Sequence, residues 1–344
     1  MNRKEIAKAF YGWYIANNKP NREALRNGSV ELPRGFNCRT IENLLPLLRE
    51  LDKENYTPPT EPSFEEEVLN LGKVKVIASD FHIPFNDKEV TELFLNFVRE
   101  LQPDEVILNG NINDCLAFSD HPRVRELQSV FRNGKDEREQ WFSFADGLRK
   151  LLPLSDITYI GSQCHEGRIE KWVEMSPILQ DDDNYTIDKW FKLSDYNINF
   201  VKETYDPINE IDLSDCQSYP KETNLVVSHG TICRSKSGAS SMAEMEYSGV
   251  STITAHTHRL SQVFKTDMRG IRVAAECGCM CQRKPWYNLK GKRRFLDWQQ
   301  GFTVLTTMPD GTFSIMLVPI LRDEEDKPFI MLGSQRISND SCEI

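Results

Sequence analysis

The sequence predicts an α/β protein organised on a parallel sheet, with a small helical segment ahead of it. Three observations lead there. Strand-like and helix-like apolar runs alternate between residues 73 and 161. Beyond about residue 195 the runs become mostly strand-like. Several of the strand-like runs end abruptly in polar side chains.

Residues 1–55 read as a helical N-terminal appendage. "RKEIAKAFYGWYIANN" and "CRTIENLLPLLRELDKE" carry apolar residues at helical spacing, with a Pro/Gly/Asn-rich turn between them. The same pattern, with its few arginines, also fits a degenerate helix-turn-helix, though an appendage is the preferred reading. Residues 56–72, with "TPPTEPSFEEE", read as a linker. The main domain spans 73–322 and a C-terminal tail spans 323–344. Within the main domain, "KVKVIASDF", "DEVILNGN" and "DITYIGSQ" read as strands. "KEVTELFLNFVRELQ" and "REQWFSFADGLRKLL" read as the helices that link them in βαβ units. "NLVVSHG", "STITAHTH", "SQVFKT", "IRVAAE", "FTVLTTM" and "TFSIMLVPI" follow as further strands. There is no internal repeat.

With 39% hydrophobic and 27% charged residues, global disorder is excluded. The formal net charge of -10 gives no overall pull toward nucleic acid or anionic lipid. No apolar run approaches the ~20 residues of a membrane span, and the N-terminus has no signal-peptide pattern. A cytoplasmic location and no membrane partner are therefore expected. The nine scattered cysteines suit a reducing compartment better than a disulfide framework. Cys277, Cys279 and Cys281 lack the two-residue gap of a zinc knuckle and have no second pair nearby, which argues against a structural zinc there.

Open α/β sheets bind ligands beyond the carboxyl ends of their strands. Five of the six histidines lie at such ends: His82, His165, His229, His256 and His258. His121 is the outlier. Asp80 and His82, spaced Asp-x-His, project to one side of an extended segment, and His256 and His258 do the same. Imidazoles and carboxylates in this number suit one or two divalent ions such as Mn, Fe or Zn. Two ions sharing a ligand is the arrangement used for phosphoester hydrolysis, in which one ion activates water and both stabilise phosphoryl charge.

The ordered blocks "SDFH", "GNIND", "CHE", "SHG" and "AHTH" resemble the signature of calcineurin-like metallophosphoesterases. "CHEGRIEKW", "AAECGCMC", "YNLK" and "DWQQGFTVL" are similar to segments of the phage and prophage members, so the resemblance covers about residues 73–320. It implies a four-layer α/β/β/α sandwich with two mixed sheets and a dinuclear centre at their edge. It further implies a phosphomonoester or phosphodiester substrate, and a bacterial or phage-infected host. Carried over by position, Asp80, His82 and His258 correspond to ligands of the first metal, and His229 and His256 to ligands of the second. His165 corresponds to a proton donor or transition-state stabiliser. Asp114 and Glu166 correspond to residues that orient histidines. Arg168 is left between phosphate and a carboxylate, either Asp114 or Glu166.

Two positions depart from the pattern. Asn111 stands where the bridging aspartate belongs, and Cys164 where a ligating asparagine belongs. A neutral amide is a poor bridge, whereas a thiolate is a good zinc ligand. Gln163 offers an alternative amide oxygen if the turn is shifted by one residue. The sequence thus leaves open a phosphoesterase with an atypical second site and an impaired relative that binds a phosphorylated ligand or nucleic acid. The basic, aromatic stretch Gln282–Phe295 suits single-stranded nucleic acid, and it equally suits a solvated loop. Nucleophilic catalysis by Cys164 is disfavoured, because the adjacent His165 points away from its neighbour. The oligomeric state is left open.

Overall fold

The structure, a computed structural model, describes residues 3–26, 29–30, 38–54, 72–119, 134–179, 183–203, 224–268, 270–283 and 296–339. The chain divides into two compact units, Met1–Lys73 with Met308–Thr312, and Val74–Thr307 with Phe313–Ile344.

In the first unit lie helices α1 (Arg3–Ala16), α2 (Arg22–Arg26) and α3 (Cys38–Lys53). Ile41, Leu44, Leu45, Leu48 and Leu51 form one stripe of α3. That stripe is buried with Ala7, Phe10, Tyr11 and Tyr14 of α1 and Leu25 of α2. Tyr11 Oη and Lys19 Nζ both donate to Asp52, fixing the rim of this small core.

The second unit is a mixed α/β structure with two mixed sheets. The larger sheet has the order β12-β11-β10-β9-β1-β2-β3-β4. Strands β1 (Lys73–Ala78), β2 (Glu105–Asn109), β3 (Asp156–Gly161) and β4 (Asn199–Lys202) are parallel. Strands β9 (Gly301–Thr307), β10 (Phe313–Arg322), β11 (Pro328–Leu332) and β12 (Gln335–Ser338) form an antiparallel run. The smaller sheet has the order β5-β6-β8-β7. Its strands β5 (Leu225–Val227), β6 (Ser251–Thr254) and β8 (Gly270–Cys277) are parallel, and β7 (Leu260–Asp267) is antiparallel to β8.

Alternation along the strands sorts their side chains between two cores. Val76, Ala78, Val106 and Leu108 pack with the apolar stripes of α4 (Lys88–Leu101) and α5 (Lys135–Leu151). Their neighbours Ile77 and Ile107 turn the other way. There they pack with Leu225, Val227, Ile253, Ala275 and Cys277 of the smaller sheet. Strands buried on both faces read as continuous apolar runs, which is why β1 to β3 were visible in sequence.

Further helices are α6 (Gly167–Glu174), α7 (Ile187–Trp190) and α8 (Ala239–Ser248). Helix α8, which packs against β6 and β8, escapes periodicity because it buries Ser240, Ser241 and Glu244 beside Met245. Glu244 there accepts from the backbone N–H groups of Thr231 and Ile232. The segment 323–344, expected as a tail, instead carries β11 and β12, with Ile330 and Ile337 in the core of the larger sheet. Two short strands joined by a tight turn give too little periodic sequence to be seen. Residues 56–71, His121 and residues 284–295 lie outside the described residues. Among the described residues, no helix is long and apolar enough to cross a membrane.

Candidate metal centre

The carboxyl ends of β1, β2 and β3 meet those of β5 and β6, and the predicted ligands converge there. Backbone bonds tie the loops together. Asp80 N–H donates to Gly110 O (3.1 Å), His82 N–H to Asn111 O (2.9 Å) and Ala255 N–H to His229 O (2.9 Å). A Cβ on Gly110, which has φ +71°, would collide with the His229 ring, so only glycine lets that imidazole in.

Asp80, His82, Asn111, His256 and His258 all adopt left-handed backbone, with φ between 46° and 66°. Asp, Asn and His are the non-glycine types that tolerate this region best. The turn that ends each strand therefore selects the same residue types that serve as ligands. Non-glycine residues held in sparsely populated backbone regions cluster at functional sites.

The first group of donors is Asp80, His82 and His258, all buried. Asp80 Oδ1 lies 3.2 Å from His258 Nε2 and 3.7 Å from His82 Nε2, and the two Nε2 atoms are 3.1 Å apart. Two imidazole nitrogens and a carboxylate oxygen thus face one point. Burial opposes ionisation of Asp80, but the His258 and His82 imidazoles outweigh it and hold the carboxyl well below the usual range. Burial likewise disfavours charge on His258, and Asp80 overcomes it, raising the imidazole to about 10. The positive charge that Asp80 draws to itself is what a divalent cation supplies.

The second group is Cys164, His229 and His256. Cys164 Sγ lies 3.5 Å from His229 Nε2 and 3.6 Å from His256 Nδ1. His229 Nδ1 is anchored on Asn109 O (3.0 Å), which directs Nε2 into the site. Burial works against the thiolate, yet the His229 and His256 imidazoles bring the Cys164 thiol down to about 3. Both groups fit a divalent ion, the second with a softer donor set.

Asn111 lies between them. Its amide lies 3.1 Å from Asp80 Oδ1 on one side, and 2.6 Å from Ser162 Oγ and 3.1 Å from Cys164 Sγ on the other. With one amide oxygen and no charge, Asn111 can ligate an ion on one side or the other but is a poor bridge between two.

His165 flanks the first group. Asp114 Oδ1 is 3.0 Å from His165 Nδ1, and Asp114 Oδ2 is 3.8 Å from His82 Nδ1, so one carboxylate faces both rings. Among the described residues, no group comes within hydrogen-bond distance of His82 Nδ1. Of the three partners considered for Arg168, the structure shows Asp114. Nη1 donates to Asp114 O (2.8 Å) and Oδ1 (3.3 Å), and Nη2 lies 3.5 Å from His165 Nε2.

Glu166, expected to orient a histidine, touches none among these contacts. It is fully buried and accepts from Ile112 N, Asn113 N, Tyr159 Oη and Ser162 Oγ, bracing the loops beneath the site. Gln163 donates to Glu203 O rather than reaching the donor groups. Sequence reasoning missed Asn109 O as the anchor of His229, because a backbone acceptor carries no residue-type signal.

No family model matches the chain, and no curated protein gives a significant match. Among solved structures it is similar to Vps29 of Chaetomium thermophilum, with 10% identity over 77% of this chain and 97% of that one, at TM-score 0.35. Vacuolar Protein Sorting 29 of Cryptosporidium parvum gives 13% identity over 78% and 95%, at TM-score 0.32. A single mutant of Entamoeba histolytica Vps29 gives 14% over 72% and 99%, at TM-score 0.29. Likeness of this degree carries no functional argument, which the side chains of the site must supply.

Proposed function

We propose that this chain is a metal-dependent phosphoesterase of the calcineurin-like class, related to its phage and prophage members, with an atypical second metal position. The observation that carries this reading is the convergence of Asp80, His82 and His258 beside Cys164, His229 and His256, with Asn111 between them. The cores on either side of β1, together with α8 against β6 and β8, support the four-layer sandwich implied by the resemblance. The whole site lies within residues 73–322. A cytoplasmic setting in a bacterial or phage-infected host belongs to the same reading.

Asp80, His82 and His258 would hold the first ion, and Cys164, His229 and His256, with the Asn111 oxygen, the second. Bound there, Mn, Fe or Zn ions would supply a water of lowered pKa and charge for the phosphoryl oxygens. His165 holds Nδ1 toward Asp114, which directs Nε2 toward the substrate side, where it hands a proton to the leaving oxygen. Arg168 locks Asp114 from the other side and leaves Nη2 beside His165 Nε2, within reach of a phosphoryl oxygen. Nucleic acid reaching the site by way of residues 282–295 belongs to this proposal as one form of the phosphodiester substrate.

The test is hydrolysis of a chromogenic phosphodiester by the purified chain with Mn2+. Turnover that a chelator abolishes and Mn2+ restores is the expected result. The neutral amide of Asn111 between the two donor groups favours one further reading, a binding protein that keeps the pocket without turnover. That reading takes over if the natural chain is inert while Asn111→Asp with Cys164→Asn hydrolyses the ester. Inertness of both proteins would sink the phosphoesterase proposal.

A further inference from the structure

Cys279 and Cys281 are not needed for the proposed hydrolysis, yet they are placed against one of its ligands. Both are fully buried, and His258 is buried beside them. Gly278, at φ +81°, turns the chain between Cys277 and Cys279. A Cβ there would press on the backbone of Gln299 and Gly301, so the turn requires glycine. Cys277, ahead of the turn, packs in the core between the sheets. Cys279 and Cys281, beyond it, come together with His258, donor atoms within 4.8 Å of one another.

The spacing of the three cysteines predicts no zinc knuckle, but that argument counts ligands close in sequence. The third donor arrives from the loop after β6. Cys281 Sγ lies 3.5 Å from His258 Nδ1, while His258 Nε2 faces Asp80 and His82. The Trp298 ring, 4.1 Å from the His258 ring between centroids, covers the imidazole. A metal-bound imidazole ordinarily gives its other N–H to a carboxylate, a carbonyl or water. Here the other nitrogen meets two thiols. Two sulfurs and one imidazole nitrogen form a donor set for zinc and other thiophilic ions, and a poor one for Mg, Ca or Mn.

We propose that Cys279 Sγ, Cys281 Sγ and His258 Nδ1 form a third cation position, specific for a zinc-class ion, with His258 as an imidazolate shared with the Asp80–His82 group. Starting from two thiols and a neutral imidazole, binding releases three protons to solvent and brings two positive charges, so the site gains one net negative charge, which the ion in the Asp80–His82 group shares through the imidazolate. The ion fixes the ring plane of His258 and, through it, the geometry of the first metal position.

X-ray absorption at the zinc edge of full-length Cys164→Asn protein, loaded with zinc until no more is retained, tests this. With Cys164 removed, Cys279 and Cys281 are the cysteines grouped with a histidine among the described residues. A sulfur shell at about 2.3 Å is expected. A shell of nitrogen and oxygen alone, or failure to retain zinc, would overturn the proposal. Adding Cys279→Ala and Cys281→Ala should remove the sulfur shell while Mn2+ still binds. If that triple variant does not fold, the single-variant spectrum still decides. A zinc shell without sulfur in the variant, alongside Mn2+-dependent hydrolysis by the natural chain, would reject the third position and leave the phosphoesterase reading standing.

Discussion

The two halves of the candidate centre share one architecture and differ in chemistry. The Asp80 half is built from a carboxylate and two imidazoles, all buried, with Asp114 and His165 beside it. The Cys164 half has a thiol where the first has a carboxylate, and its sulfur is partly open. Asn111 joins the halves as a neutral group with one amide oxygen to offer between them. On the proposed reading, the negative charge that a bridging aspartate would share between two ions is carried instead by Cys164, where it serves one.

The largest effect is expected at Asp80. Asp80→Asn should abolish tight Mn2+ binding in the first half and lower hydrolysis by about 10³-fold or more, since the ion contributes several kcal/mol to the barrier. Isothermal titration with Mn2+ and phosphodiesterase assays would read both. Retained affinity would mean that the first half is not the ion-binding half. Next comes His165→Asn, expected to cut turnover by about 10²-fold for esters with poor leaving groups and much less for nitrophenyl esters. Equal losses on both would remove its role as proton donor.

A smaller, opposite change is expected from Asn111→Asp. A shared carboxylate should tighten the second ion by about tenfold, because affinity at such sites follows ligand charge. Unchanged stoichiometry and affinity would show that Cys164 already compensates fully, which would break the comparison above.

The smallest effect concerns the floor of the first half. Glu137 accepts from Cys115 N (2.5 Å) and Leu116 N (3.1 Å), just after Asp114. Burial, with help from the Asp114 carboxylate, raises Glu137 to about 8 despite those donors. Its folded pKa is therefore above the unfolded value of about 4.3. The stability linked to it is full below that value and is lost as pH rises through about 8. Glu137→Gln should flatten the fall in thermal midpoint over that window. Identical pH profiles for the two proteins would refute this linkage.

Much of the centre was legible because its signals are local. Apolar runs buried on both faces marked β1 to β3, and the histidines could be counted at strand ends. Other parts were illegible for equally physical reasons. Glu166 looked like a partner for histidine, and its carboxylate went instead to backbone N–H groups that the loops leave unpaired. Helix α8 hid behind buried serines, and β11 and β12 behind their shortness.

The sequence by itself determined which chemical groups are present and which strand ends carry them, since side-chain type and apolar period are written residue by residue. Only the tertiary structure decided which groups meet. His82 and His258 come within 3.1 Å across 176 residues of chain. The direction of each His258 nitrogen, toward Asp80 on one edge and toward Cys281 on the other, follows from the left-handed turn at His258 and the glycine turn at Gly278. Those directions depend on backbone geometry and on distant packing, neither of which a linear pattern contains.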